Sequence, residues 1–126
     1  MPTWFRISLF ATALINLFGA FIFYPPFHVG RQLLNLPTNT DPLYLSIISA
    51  FIAIFAFAYY YLALKRISNP LLIAVGLLGK LVFAFSLLYF GFFRANSVMP
   101  IITALPDIAF AIIFAIWLYK YTTYNS

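Results

Sequence analysis

The chain contains four continuous apolar stretches, and these constrain its fold more than any other feature. They run roughly over residues 4–24, 42–64, 71–93 and 99–120. Each has the roughly 20 residues that an α-helix needs to cross the hydrocarbon core of a bilayer. The apolar residues follow one another without the alternation that a membrane β-barrel requires. The sequence therefore predicts an all-α integral membrane protein, with residues 1–126 forming a single membrane domain.

Composition supports lipid as the solvent of the outer surface. Of the 126 residues, 65% are hydrophobic and 7% are charged, whereas a soluble domain has about 25% charged residues. The later stretches are joined by short polar segments at residues 65–70 and 94–97, so an up-down-up-down bundle of four transmembrane helices is predicted. No clean small-residue cleavage site follows the first stretch, so we expect it to be retained rather than removed as a signal peptide.

Several kinds of chemistry are excluded or disfavoured by residue content. The chain has no cysteine and one histidine, His28, so thiolate metal sites are excluded and no metal site is expected. The net charge of +5 is spread over helix ends and loops, without the basic stripe that binds nucleic acid. No catalytic cluster can be assembled from these residues, and we do not expect an enzyme.

Two opposite charges lie inside the apolar stretches. Lys80 is well inside the third stretch and Asp107 is well inside the fourth, where a charge costs at least about 3 kcal/mol. Their depths differ by about 5 Å at 1.5 Å rise per residue, which a lysine side chain can cover. We therefore predict that Lys80 and Asp107 face each other inside the bundle. Asn16, midway along the first stretch, is predicted to join them as a third polar group.

Small and polar residues recur at every fourth position of the stretches, which predicts the inner helix faces, because such residues let membrane helices approach closely. The recurring positions are Thr12, Asn16 and Ala20; Ser46 and Ala50, beside Ser49 and Ala53; Gly76, Lys80 and Ala84; and Thr103, Asp107, Ala111 and Ala115. The predicted helix-packing residues are Gly76, Gly79, Ala84, Ala111 and Ala115. Pro106 removes a backbone donor next to Asp107 and is predicted to kink the fourth helix.

Basic and aromatic residues indicate how the chain is oriented. Four basic residues flank one side of the predicted bundle and two flank the other, which favours cytoplasmic termini. The first group is Arg6, Lys65, Arg66 and Lys120, and the second is Arg31 and Arg94. An aromatic belt is predicted at the cytoplasmic boundary, formed by Trp4, Tyr59, Tyr60, Tyr61, Trp117, Tyr119 and Tyr121. The long connection at residues 25–42 has two interpretations, a short interfacial helix within residues 27–36 or an irregular loop.

Several short segments resemble a group of small four-helix membrane proteins predicted in bacterial genomes. They are Phe23-Tyr24-Pro25-Pro26, Leu36-Pro37 followed by Pro42-Leu43-Tyr44, Gly79-Lys80 with Phe83, and Asp107 with Phe110 and Trp117-Leu118. The resemblance extends over nearly the whole chain. It implies a location in the bacterial cytoplasmic membrane, and it carries no activity.

The charged pair has two interpretations, a structural ion pair that fixes helix register and a functional centre. The leading functional hypothesis is an accessory or ligand-binding subunit that contacts a membrane-protein partner or a lipid-like molecule. The main alternative is a homo-oligomeric small transporter or ion-coupled carrier that uses Lys80 and Asp107 as switchable charges. A lipid-modifying membrane enzyme is the third. No cofactor is predicted, although the aromatic content leaves room for a bound lipid, quinone or pigment.

Overall fold

Over the residues that the structure describes, the fold consists of four long helices and one short helix. The computed structural model describes residues 1–37, 40–94 and 97–125, with side chains to Tyr121. The helices are α1 (Thr3–Phe23), α2 (His28–Leu33), α3 (Pro42–Lys65), α4 (Pro70–Phe93) and α5 (Val98–Asn125). No strand occurs among these residues. The predicted all-α four-helix bundle is confirmed.

Four of these helices have the length and composition needed to cross a membrane. They are Thr3–Phe23, Pro42–Lys65, Pro70–Phe93 and, within α5, Val98–Tyr121. Most large apolar side chains on their outer surfaces are exposed, which is the pattern expected where lipid acts as solvent. The chain is therefore a small multi-pass membrane protein.

The helix boundaries follow from local backbone chemistry. The side chain of Asp41 accepts a hydrogen bond from the Leu43 backbone nitrogen at 2.8 Å, and Asn69 accepts one from Leu72 at 3.1 Å. In both cases proline occupies the first helical position, where its missing N–H is not needed. At the other end of α3, Arg66 has a φ of 54° and ends the helix in the left-handed conformation.

The helices associate as two pairs. Helix α1 packs along α3, and α4 packs along α5, whereas close approach of backbones between the pairs is limited mainly to α1 with α5. Two hydrogen bonds join the first pair, from Arg6 Nε to the Ala63 carbonyl and from Ser49 Oγ to the Ala20 carbonyl, both at 2.7 Å. Helices α3 and α4 follow each other in sequence, but their backbones stay apart along most of their lengths, and Tyr59 of α3 reaches Gly76 and Lys80 of α4 near one end. The bundle is therefore open on its α3–α4 side.

The two pairs are fastened together at the end that carries the N-terminus and the α3–α4 connection. The ring of Phe5 stacks on Trp117 with centroids 4.5 Å apart, and Phe114 meets both Phe5 and Tyr59 edge-on. We call this cluster the packed end; its buried members are Phe5, Leu9, Ala13, Tyr59, Leu62, Ala63, Ile73, Phe114 and Trp117. A smaller buried cluster at the opposite end joins Leu36 to Ala84, Leu87 and Ala104.

The long connection between α1 and α3 contains the short helix α2, which excludes an entirely irregular loop, while its interfacial position remains a prediction. Helix α2 is followed by Leu34 and Leu36, which pack against α4 and α5. The Asn35 amide donates to Ser97 Oγ at 2.9 Å. This segment therefore ties the two helix pairs together at the end opposite the packed end.

Candidate functional site

The structure brings the three polar residues singled out in the sequence to one place. Lys80 Nζ lies 3.2 Å from Asp107 Oδ1 and 3.4 Å from Asn16 Oδ1. The side chain of Lys80 is 4% exposed and that of Asp107 is 14% exposed. Because Lys80 is on α4, Asp107 on α5 and Asn16 on α1, this centre joins the two helix pairs. The Lys80–Asp107 distance exceeds the roughly 2.7–2.9 Å that is typical of a charged N–H···O⁻ contact.

Three aromatic rings surround the rest of the Lys80 ammonium group. Its nitrogen lies 5.5 Å from the ring centroids of Tyr59 and Phe110 and 5.7 Å from that of Phe114. Ring faces carry partial negative charge and attract a cation at this distance. The centre therefore combines one carboxylate, one amide and three ring faces around a single buried cation.

The amino-acid sequence does not reveal this aromatic enclosure and predicts an interfacial belt position for Tyr59 and Trp117. The structure corrects both positions, since Tyr59 is 1% exposed and Trp117 is 3% exposed. A signal for the phenylalanines was present, because Phe110 and Phe114 follow Asp107 by three and seven residues and so share its helix face. No comparable signal separated Tyr59 from the exposed Tyr60 and Tyr61.

The five predicted helix-packing residues fall into two groups. Gly76, Ala84 and Ala111 are buried. A side-chain carbon on Gly76 would collide with the Tyr59 hydroxyl group, whereas one on Gly79 would meet no atom within 4 Å. Gly79 and Ala115 are exposed and lie away from the helix contacts. Ala115 is the fourth member of a four-residue series, and such steps turn slightly more than one helical turn, so the series drifts off the packed face. Gly79 belongs to no such series and lines the cleft instead.

The structure also locates Pro106 and His28 relative to the helices. Helix α5 continues through Pro106, which leaves the carbonyl of Ile102 without its usual helical donor; the kink remains a prediction. His28 is exposed at the start of α2. Among the described residues, no three His, Cys, Asp or Glu side chains come close enough together to hold a metal ion.

Arg31 has a role that charge counting missed. It is 2% exposed, and its guanidinium donates to the carbonyls of Ile22, Tyr24 and Pro25 at 2.8–3.0 Å. The last carbonyls of a helix lack internal donors, and Pro25 and Pro26 supply none because they have no N–H. A basic residue shortly after such a proline pair was the available signal. Arg31 holds α2 against the end of α1 and is a poor guide to orientation.

A cleft of about 580 Å³ lies between the two helix pairs, and the polar centre forms part of its wall. Its apolar walls come from all four long helices and include Phe18, Phe51, Ile52, Phe83 and Ile102. Asn16, Lys80 and Asp107 line it together with Tyr59, and Leu34 after α2 borders it. The volume is within the range of about 300–1,000 Å³ found for small-molecule sites. The arrangement is a long apolar slot with one concentrated polar region.

Comparison of the chain with known protein families, with curated proteins and with solved structures gives no match. The chemistry of the site must therefore be argued from its own residues.

Proposed function

We propose that this protein is a ligand-binding subunit of the cytoplasmic membrane that holds a lipid-like molecule in the cleft between its helix pairs. The observation that carries the proposal is the position of the Lys80–Asp107–Asn16 centre in the wall of an otherwise apolar cleft. An apolar cavity with a few well-placed polar groups is the usual form of a small-molecule site.

The open side of the cleft supports an elongated apolar occupant. The backbones of α3 and α4 stay apart along most of their lengths, so the cleft communicates with the surface that lipid covers. A molecule moving laterally in the bilayer can enter there without crossing an aqueous phase. Its chain would lie against residues such as Phe51 and Phe83, and its polar group would reach Asp107.

A translocation pathway along the bundle is less well supported. The packed end closes the bundle with stacked Phe5 and Trp117 rings, and three rings enclose Lys80. The homo-oligomeric carrier remains the alternative, and pH-coupled uptake into liposomes by the purified protein would favour it. The lipid-modifying enzyme has less support, because the centre contains one carboxylate and no nucleophile beside a base.

The proposal includes an orientation in which the packed end faces the cytoplasm. Arg6, Lys65, Arg66 and Lys120 lie near that end of the bundle, and basic residues favour the cytoplasmic side. Because the chain has no cysteine, Gln32→Cys and Ile67→Cys can be labelled separately on intact cells with an impermeant thiol reagent. We expect the reagent to label Gln32→Cys and not Ile67→Cys. Labelling of Ile67→Cys alone would show that the packed end faces the outside.

Native mass spectrometry after mild detergent extraction tests the binding proposal. The wild-type protein should retain a lipid-like molecule, and the same spectra will give stoichiometry and any membrane-protein partner. Gly79→Phe should abolish retention, because Gly79 lines the cleft with open space beside it. Val82→Phe is the matched control, since Val82 is 67% exposed on the same helix and does not line the cleft. Equal retention by both variants would refute the proposal.

A further inference from the structure

The charge, hydrogen-bonding capacity and accessibility of the polar centre restrict the chemistry of its ligand's head group. We infer that the cleft receives a long-chain alcohol, a lipid whose buried polar end is a single uncharged hydroxyl group. The inference rests on the proposed function and specifies the chemistry of the ligand at that site.

Charge balance is the first argument. Lys80 and Asp107 already neutralise each other at a separation of 3.2 Å, and apolar walls surround them. An anionic head group would leave one net negative charge in the cleft, and a cationic head group would leave one net positive charge. An uncompensated charge in an apolar site is strongly unfavourable. The centre therefore selects for a head group without charge.

The remaining hydrogen-bonding capacity is the second argument. Asp107 accepts from Lys80 through Oδ1, and Asn16 accepts from Lys80 through its own Oδ1. Within the described part of the chain, Asp107 Oδ2 and the Asn16 amide nitrogen have no hydrogen-bond partner. These atoms offer one acceptor and one donor on neighbouring groups. A hydroxyl group can donate to the first and accept from the second, since it carries both functions.

Accessibility is the third argument. Lys80 is enclosed by the rings of Tyr59, Phe110 and Phe114 and keeps only 4% of its side chain exposed. Asp107 keeps 14%, and Asn16 is half-buried. A ligand entering the cleft therefore meets the carboxylate and the amide before the ammonium. The enclosed cation compensates the charge of Asp107, while Asp107 and Asn16 make the contacts.

A series of ligands with one chain length and different heads tests the inference on the wild-type protein in detergent. Hexadecanol, methyl hexadecyl ether, palmitate and hexadecane would compete with a photoreactive alkyl probe at a pH where palmitate is ionised. Hexadecanol should bind about three- to tenfold more tightly than the ether, because the ether cannot donate to Asp107. Palmitate should bind more than about tenfold more weakly than hexadecanol.

A charge-changing variant supplies a second readout. Asp107→Asn keeps the shape of the side chain but leaves Lys80 without its negative partner, so the preference should shift from hexadecanol to palmitate. Val82→Phe should keep the wild-type order. If Asp107→Asn does not fold, the wild-type series alone decides.

The outcomes separate this inference from the proposed function. Tighter binding of palmitate than of hexadecanol, or equal binding of all four ligands, would overturn the alcohol assignment. In either case, loss of binding in Gly79→Phe would leave the cleft as a lipid site. Failure of every ligand to compete would overturn the alcohol assignment and the proposed function together.

Discussion

The packed end and the cleft are built from the same four helices, yet they differ in how the helices meet. At the packed end, large rings fill the space between the pairs, and Phe5 and Phe114 have no exposed surface. Around the cleft, side chains of similar size, such as Phe51 at 59% exposure and Phe18 at 61%, face open space. The residue types are alike, and the difference lies in what stands opposite each one.

This difference follows from the physics of helix association in lipid. Lipid chains are as apolar as leucine, so helices gain little by burying apolar side chains against each other, and packing and polar contacts decide where they join. The packed end supplies close ring packing, and the Lys80–Asp107–Asn16 centre supplies polar contacts. Tyr59 reaches α4 near the packed end, but the backbones of α3 and α4 stay apart along most of their lengths, and a cleft remains between the helix pairs.

The largest effect is expected at the polar centre. Lys80→Met or Asp107→Leu alone leaves the other charge buried and unpaired, so each should lower the free energy of unfolding by about 3–5 kcal/mol. The double variant should recover much of the loss, as a coupling between the two sites. Thermal unfolding in detergent, followed by circular dichroism, measures all three. If the loss of unfolding free energy in the double variant equals the sum of the two single losses, Lys80 and Asp107 do not hold α4 to α5.

A matched pair of truncations compares the two regions directly. Phe5→Ala removes a ring stacked on Trp117 and should cost about 3 kcal/mol of stability, near the lower end for a buried aromatic residue. Phe51→Ala, in the cleft wall, should change stability by less than about 0.5 kcal/mol. The same unfolding measurement applies to both. Equal losses would show that the cleft is closed and packed in the native protein.

Two glycines one turn apart on α4 sharpen the comparison. Gly76→Ala forces a methyl group against the Tyr59 hydroxyl and should destabilise by about 1–3 kcal/mol. Gly79→Ala, facing the cleft, should be neutral or slightly stabilising, since alanine favours helix by up to about 1 kcal/mol. Adding Tyr59→Phe to Gly76→Ala removes the clashing hydroxyl group and should restore part of the loss, because two ring carbons would still lie 3.0 and 3.1 Å from the new methyl group. If the double variant recovers no stability, the loss in Gly76→Ala does not come from the Tyr59 hydroxyl group.

A small loss of stability is expected when the Asn16 side chain is removed. Its contact with Lys80 is long, at 3.4 Å, and polar contacts between membrane helices average about 0.6 kcal/mol. Asn16→Ala should therefore cost no more than about 1 kcal/mol in thermal unfolding while weakening ligand retention in native mass spectrometry. Ser86→Ala, at an exposed position on α4, should change neither quantity. A large stability loss at Asn16 would make this residue a structural support and not a ligand contact.

The sequence was sufficient for features that depend on one helix at a time. The lengths of the apolar stretches determined the four helices, because the bilayer fixes the number of residues that must be apolar. The cost of a buried charge singled out Lys80 and Asp107, which the structure places 3.2 Å apart.

Apart from this charged pair, features that depend on which helix faces meet could not be predicted. The open α3–α4 side, the burial of Tyr59 and the exposure of Gly79 and Ala115 depend on which faces meet. Four-residue spacing does not specify these faces, because small residues occur on more than one face of a helix. The role of Arg31 was hidden because its partners are backbone carbonyls, which sequence patterns do not display.

Photolabelling with a long-chain alkyl diazirine probe, followed by mass-spectrometric mapping of the adducts, tests the central claim most directly. Phe57 and Val82 are 66% and 67% exposed outside the cleft, whereas Ile52 and Phe83 are half-buried and line it. If the cleft holds a lipid-like chain, adducts should concentrate on Ile52 and Phe83 and disappear from them in Gly79→Phe. Adducts that instead follow exposure, with Phe57 and Val82 labelled most, would contradict the account.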